Sequence, residues 1–414
     1  MTPVAIIDHV RASSARDSAA DTALAWLAAN GFPTERDEAW RYTATGGLMA
    51  TLADTEPDTA RPISPAEFAA TVAAALCPRL VMVNGRFAAA LSDLGPVAEG
   101  LSVTTQPRSR TIDDHPAPAD GFEAMNRACA HEVVVVTAHH GAHVGPLHVV
   151  HLTAPGGGPP LTHPRTVIDA SPGSRLEVVE VFEGFAEVAF TNAVTSIDVA
   201  AGAEVSYQRV QLEGLDTTHV GRTAARLGTG SVLHVTAVEV GAAQSRHSID
   251  VSLEHRDASV ELTGLCVPAG SQRHDTHVDV HHLASHCRSS QLFKGALDGH
   301  ARGSFTGRVV VAADTTGTDA SQLNHNLVLS PDAQANSRPW LEIFSDDVRC
   351  THGATVGRLD DDAIFYLRSR GIPVALAQSM LVDAFVAEIL ESGLGAQIRA
   401  RVGGVIAARH EEMA

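Results

Sequence analysis

The spacing of apolar residues changes twice along the chain, from a helical period to short β runs and back again. Residues 1–95 read as helices joined by loops. Leu24, Leu27 and Ala28 fall on one face of a segment running from about Arg16 and closed by Asn30-Gly31, which is the pattern of a capped amphipathic helix. A second helix is expected from Ser64-Pro65-Ala66-Glu67. There the Ser64 hydroxyl can accept from the Glu67 amide, Glu67 can reach back, and Pro65 occupies a first-turn position that needs no N–H. Phe68, Val72 and Leu76 would form its buried stripe.

From about Glu132 to Arg358 the period shortens to β runs punctuated by Gly, Pro and Asp. Examples are Glu132 to Thr137, Arg175 to Phe182, Ser231 to Val240 and Thr306 to Ala312. A small turn pattern recurs at Gly173-Ser-Arg-Leu176, Gly202-Ala-Glu-Val205, Gly230-Ser-Val-Leu233 and, with Asp replacing Gly, Asp257-Ala-Ser-Val260. The intervals are 29, 28 and 27 residues. A quasi-period of that size, each turn leading into an apolar strand residue, predicts the stacked coils of a β-solenoid. A β-sandwich with coincidental turn spacing is the alternative on pattern alone. A solenoid leaves sheet edges that need either a cap or a partner.

The last stretch, 358–414, returns to helix. Asp360-Asp361-Asp362 supplies negative charge at a helix N-terminus. Gly371 stops that helix and Pro373 opens the next. Ala377, Leu381, Ala384, Phe385 and Ile389 give the second helix an apolar face, and Ile398, Val402, Val405 and Ile406 mark a third. The expected organisation is an N-terminal helical region (1–95), a β-solenoid core (96–357) and a C-terminal helical domain (358–414).

Composition removes several function classes. The formal net charge is −18 and Lys294 is the only lysine, so a phosphate-tracking surface for nucleic acid is not expected. No stretch reaches ~18 apolar residues and Asp8-His9 interrupts the N-terminus, which predicts neither a signal peptide nor a membrane span. Cys77, Cys129, Cys266, Cys287 and Cys350 are odd in number, widely spaced and without C-x-x-C. That pattern fits a reducing cytoplasm better than a disulfide framework or zinc knuckle. Lys294 is preceded by Phe293 and followed by Gly295, so the chain has no P-loop, is not itself an ATPase, and is expected to bind no nucleotide directly. A Rossmann G-x-G-x-x-G and a G-x-S-x-G elbow are also missing.

Two histidine clusters suggest metal at first sight: His139, His140, His143, His148 and His151, then His274, His277, His281, His282 and His286 beside Cys287. On a strand His277, Asp279 and His281 would share a face while His282 points the other way. Neither cluster contains H-x-H, and polar ladders along a solenoid face explain them more simply. Cys350 and His352 in Asp347-Val-Arg-Cys-Thr-His-Gly353 are i, i+2 residues, so both side chains would project from one side of an extended segment. Thiolate and imidazole suit Fe, Zn or Cu(I). Two ligands make an incomplete site, and a functional reading requires the others from elsewhere, another subunit being one source.

Asp37-Glu-Ala-Trp-Arg-Tyr-Thr43, Ser285-His-Cys-Arg-Ser-Ser-Gln-Leu-Phe-Lys-Gly295, Gly299-His-Ala-Arg-Gly-Ser-Phe305, Ser321-Gln-Leu-Asn-His-Asn326, Leu341 to Gly357 and Phe365-Tyr-Leu-Arg-Ser-Arg-Gly-Ile372 form a set of strings spread over most of the chain. Together they resemble the SufB/SufD family of the SUF iron–sulfur cluster assembly system. The Cys-x-His-Gly-Ala-Thr-Val-Gly version of the motif looks like the SufD side of the family. The resemblance implies a parallel β-helix core flanked by helical domains, pairing with a SufB-like paralogue through the β-helix, and binding of a SufC-like ABC ATPase by the C-terminal helices. It implies a non-catalytic scaffold role, with His352 and Cys350 as ligands to a transient iron–sulfur cluster at the heterodimer interface. Phe365, Tyr366, Arg368, Ser369, Arg370, Gly371 and Ile372 match the region that receives the ATPase, although Phe365 and Leu367 could instead pack the last domain onto the solenoid. A homodimeric scaffold is a second reading. A self-sufficient β-solenoid enzyme using carboxylates such as Asp275 and Asp279 is a third, weakened by an aromatic content of only 4%.

Overall fold

The computed structural model describes residues 3–14, 17–57, 62–95, 99–107, 117–186 and 188–412. The chain opens with α1 (Pro3–Ser13), α2 (Ser18–Asn30), α3 (Thr45–Asp54), β1 (Glu56–Pro57), α4 (Pro65–Ala69), β2 (Arg79–Val83), β3 (Arg86–Phe87), β4 (Leu101–Pro107) and α5 (Gly121–Cys129). Strands then follow one another: β5 (Glu132–Ala138), β6 (His143–Thr153), β7 (Pro160–Thr162), β8 (Arg165–Ala170), β9 (Arg175–Gly184), β10 (Phe190–Val199), β11 (Glu204–Gln211), β12 (Thr218–Leu227), β13 (Val232–Glu239), β14 (Gln244–Leu253), β15 (Ser259–Cys266), β16 (Arg273–His282), β17 (Arg288–Leu297), β18 (Arg302–Val311), β19 (Thr318–Val328), β20 (Gln334–Ile343) and β21 (Val348–Gly357). Helices α6 (Asp361–Ser369), α7 (Val374–Gly393) and α8 (Ala396–Glu412) close it.

From β8 onward, even-numbered strands stack in one sheet and odd-numbered strands in the other. Every pairing along these stacks is parallel. Each coil therefore contributes one strand to each sheet, which makes the core a two-sheet parallel β-solenoid. The recurrent turn lies between an even strand and the next odd one. Gly173, Gly202, Gly230 and Asp257 all have positive φ there, as do His286 and Gly317. This left-handed conformation turns each N–H toward the following coil. Gly173 donates to the Ala201 carbonyl at 3.1 Å, Gly202 to Thr229 at 2.9 Å, Asp257 to Ser285 at 3.2 Å and His286 to Thr316 at 2.7 Å. The turns thus form a hydrogen-bonded ladder of their own.

Apolar residues between the sheets, such as Leu176, Val178, Val205, Tyr207, Ile249 and Val280, form the inner core. At the other end of the strands the interior turns polar, and its charges are matched. Glu180 accepts from Thr166 at 2.5 Å, Thr195 at 2.6 Å and Tyr207 at 2.5 Å, and lies 2.8 Å from His151 Nε2. Arg209 pairs with Glu239 at 2.7 Å and lies over the Phe182 ring. A buried charge is tolerable only with such partners.

Helices cover part of each outer face. Trp40, Leu48, Phe122 and Met125 pack with Phe190 and Val220 on the even sheet. Val382, Val386, Ile389, Ile398 and Val402 pack with Val179, Val210 and Val238 on the odd sheet. That sheet thus carries apolar residues on both faces, Val178 and Val205 toward the interior and Val179 and Val210 toward the helices.

Several local expectations are revised. The buried face of α2 is Ala20, Ala23, Leu24 and Leu27, and Ala28 is exposed. The expected start near Arg16 lies outside the described residues, and Asp17 is the N-cap. The Ser64–Glu67 capping box forms, yet α4 ends at Ala69 and Val72 and Leu76 reach the core through a separate 3-10 turn. In α7, Val382, Val386 and Leu390 are buried rather than Leu381, Ala384 and Phe385. Within 1–95, strand β2 already pairs with β6, and within 96–357 a buried helix, α5, precedes the first coil. The boundary placed at residue 96 falls outside the described residues. No described helix is long and apolar enough to cross a membrane.

Candidate functional site at the open end of the solenoid

The two sheets end at β20 and β21, each paired on one side only. Cys350 and His352 lie on β21, in register with Ala320 and Gln322 of β19. Ala320 and Gln322 are buried in the interior, so the pleat directs Cys350 and His352 to that same interior side. No further coil covers them. Cys350 is half-buried against the inner core, while His352 is exposed. The i, i+2 spacing thus places thiol and imidazole side by side at the mouth of the solenoid.

Partial burial pushes the Cys350 thiol above its ordinary value, and Asp319 adds to the shift. At neutral pH the group is a thiol, and it becomes a thiolate ligand only when a metal or another cation draws the proton off. Among the described residues no group of three or more His, Cys, Asp or Glu side chains is placed to hold a metal ion. Cys350 and His352 by themselves therefore offer two donor atoms, one sulfur and one nitrogen.

The histidine clusters do not converge. His139, His140 and His143 are exposed around a turn, whereas His148 and His151 are buried and bound to the Pro78 carbonyl and Glu180. In the second cluster His274 and His282 point inward, while His277 and His281 lie on the outer face of the even sheet. His281 pairs there with Asp279 at 3.1 Å, so these side chains form the polar ladders expected of a solenoid face.

Around the open end several large apolar side chains are exposed among polar ones such as Asp346, Asp347 and Arg349. Phe344 is 64% exposed, and Leu323, Ile343 and Val356 are exposed with it. These four were not legible in the sequence, because only the coil count reveals which strand is last. A second apolar patch begins at α6, where Asp360 caps the helix by accepting from the Asp362 and Ala363 amides. Phe365 is 72% and Tyr366 57% exposed, so Phe365 does not pack the last helices onto the solenoid. Arg370 donates to the Tyr366 hydroxyl at 3.0 Å and lies over its ring, and Gly371 ends the helix with positive φ. Arg368 and Ser369 are exposed and Ile372 is half-buried. Val374, Leu376 and Met380 extend the patch onto α7.

A family model described as "SUF system FeS cluster assembly, SufBD core domain" matches residues 151–385. The chain is 32% identical over 396 residues to the iron-sulfur cluster assembly protein SufD of Escherichia coli (strain K12), covering 94% of this chain and 92% of that protein. An iron-sulfur cluster assembly SufBD family protein of Synechocystis sp. is 29% identical over 396 residues, 91% of this chain and 87% of the relative. Another SufBD family protein, from Mycobacterium bovis, is 36% identical over 199 residues, 46% of this chain and 50% of the relative.

Proposed function

The chain belongs to the SufBD family of iron–sulfur cluster assembly proteins, and on that premise we propose that it is a non-catalytic scaffold subunit completed by two partners. Its open solenoid end meets a SufB-like paralogue, and the exposed face of α6 and the start of α7 receive a SufC-like ABC ATPase. The nascent cluster is cargo, held transiently where Cys350 and His352 meet ligands from the paralogue. A reducing cytoplasm is the compartment that suits these thiols.

The observation that carries this reading is the position of Cys350 and His352, a thiol and an imidazole on the interior side of the last strand with no covering coil. Of the two terminal strands, β20 contains Pro339, which cannot donate a backbone hydrogen bond, whereas β21 contains no proline. The β21 edge is thus the better template for an added strand. Exposed Phe344 and Val356 supply apolar area beside it. ATP hydrolysis in the partner would act on the site only if its nucleotide states bind the scaffold differently.

The test is a mild affinity purification of the tagged full chain from its host, with mass spectrometry of accompanying chains, repeated with His352→Ala. The expected result is recovery of a SufB-like paralogue and a P-loop ATPase with both chains, and loss of cluster maturation in the variant alone. Recovery of only a second copy of this chain would favour the homodimeric scaffold. Recovery of no partner would overturn the three-subunit reading.

A further inference from the structure

The Trp40-Arg41-Tyr42-Thr43 string divides into a docked half and a free half. Trp40 is buried, with the Arg246 guanidinium over its ring at 4.0 Å. Thr43 is buried between Arg246 and Asp275, accepting from the first and donating to the second. Gln244 donates to the Ala44 carbonyl at 2.9 Å, closing the segment onto the outer edge of the even sheet. Arg41 and Tyr42 remain exposed.

Beside them runs a cleft of ≈ 290 Å³, lined by Arg41, Tyr42, Arg273, Arg302, Ser304 and Asn336 among others. Arg273 and Arg302 are register partners on adjacent parallel strands, so their backbones stand about 4.8 Å apart. Like charges placed side by side in a sheet are destabilising. Among the described residues none of the guanidiniums of Arg41, Arg273 and Arg302 has an ion-pair or hydrogen-bond partner. Asp275 lines the cleft too, but its carboxylate already accepts from Arg246, Thr43 and Ser304. Glu35 is the other acid of the lining. Arg273 and Arg302 are exposed, as Arg41 is, so water solvates all three guanidiniums, and with no protein partner their forks are free to grip an anion in the cleft.

We propose that this cleft binds a small polyanion of the diphosphate class, with Arg273 and Arg302 gripping one side and Arg41 closing from the docked segment. Guanidinium forks match phosphate oxygens bidentately, and adjacent phosphates offer adjacent arginines one group each. A missing P-loop excludes ATPase chemistry but has no bearing on a site made of side-chain guanidiniums. The site is separate from Cys350 and His352, and its test needs no partner protein.

Titration calorimetry of the full chain at low ionic strength would use sodium pyrophosphate, ADP, orthophosphate and sulfate as probes. Pyrophosphate should bind at least tenfold more tightly than orthophosphate or sulfate. The R273Q/R302Q double variant should weaken it by about tenfold or more for each lost fork. Arg41→Gln, which lies outside the solenoid and leaves its folding intact, should also weaken it several-fold. Arg175→Gln, which removes an exposed pair with Glu204 elsewhere on the solenoid, should change nothing. Binding of ADP as tight as that of pyrophosphate would identify a nucleotide-linked diphosphate as the source, and binding of pyrophosphate alone would identify the free anion. Pyrophosphate binding no tighter than sulfate, or unchanged in both Arg41→Gln and the double variant, would overturn the assignment.

Discussion

Glu388 of α7 lies 2.5 Å from Lys294, the only lysine of the chain, which stands on the outer face of β17. The same ammonium donates to the Phe385 carbonyl at 2.8 Å and sits over the Phe385 ring at 4.7 Å. Lys294 is 8% exposed and Glu388 61%. One buried cation thus fastens a C-terminal helix to the solenoid by three contacts.

The two partners should respond unequally to mutation. Glu388→Gln should cost less than about 1 kcal/mol, because its carboxylate is solvated. Lys294→Met should cost about 1–3 kcal/mol, since it removes a charged donor from the Phe385 carbonyl as well. Amide exchange should report the loss in α7 and leave β9 to β15 protected. Equal effects of the two substitutions would mean that the ion pair, and not the buried donor, holds the helix.

The turn ladder makes a second prediction. Gly202 has φ 64° and Asp257 φ 62° at equivalent positions one coil apart from Gly230. Gly202→Ala should destabilise by roughly 1–2 kcal/mol, because a Cβ is disfavoured in the left-handed region. Asp257→Gly should stabilise by up to about 1 kcal/mol for the same reason, reduced by the greater freedom of glycine in the unfolded chain. His286→Gly should gain less, since the His286 ring packs against Gly317, where an added Cβ would fall 2.4 Å from Nδ1. Urea midpoints of the three variants would decide the order.

That ladder also marks what the sequence made legible. Gly173, Gly202, Gly230 and Asp257 were readable because a residue tolerant of positive φ recurs before an apolar strand residue. His286 continues the series with a side chain that carries no turn signal, and Gly317 follows 31 residues later because the intervening loop is longer. Strand β2 was absorbed into the helical stretch, since Leu80-Val81-Met82 is buried on both faces and shows no alternation. For Cys350 and His352 the shared side followed from the strand period alone. Their position at an uncovered end did not, because it depends on how many coils stack before the chain leaves the solenoid.

Acid should destabilise the fold in two stages. Burial pushes His282 down to about 4 and His163 to about 3, with nearby His281 and His131 respectively adding to the effect. Their folded pKa values lie below the unfolded value near 6.5, so the unfolded chain takes up these protons first. Their contribution is complete above pH ~6.5 and falls as pH drops toward the folded values, by about 1–2 kcal/mol each at pH 5. Burial alone would raise Glu180, yet the bonds from His151, Thr166 and Thr195 outweigh it and hold the carboxyl at about 2. Its contribution is present above the ordinary carboxylate range and is lost as pH falls from ~4.3 toward 2. His281 opposes the first stage, because its bond to Asp279 raises its pKa and its contribution is greatest below 6.5. Urea midpoints should not fall between pH 8 and 6.5, where His281 adds stability as it takes up its proton, and should decline from 6.5 to 5, a decline that His282→Asn should lessen. A midpoint unchanged from pH 7 to 5 would contradict the buried-neutral assignment of these histidines.

The α6 surface allows binding to be separated from folding. Phe365 touches little of its own chain, so Phe365→Asp should leave the melting temperature of the isolated protein unchanged. If the ATPase covers this ring, as proposed, burying a phenylalanine is worth about 1.5–3 kcal/mol, and its loss should weaken binding by roughly 10- to 100-fold. Val382→Asp provides the contrast, since Val382 is buried against the solenoid and a charge there should lower stability before any partner is added. Unchanged ATPase affinity in Phe365→Asp would move the docking surface away from α6. A lowered melting temperature would show instead that the ring packs within the chain.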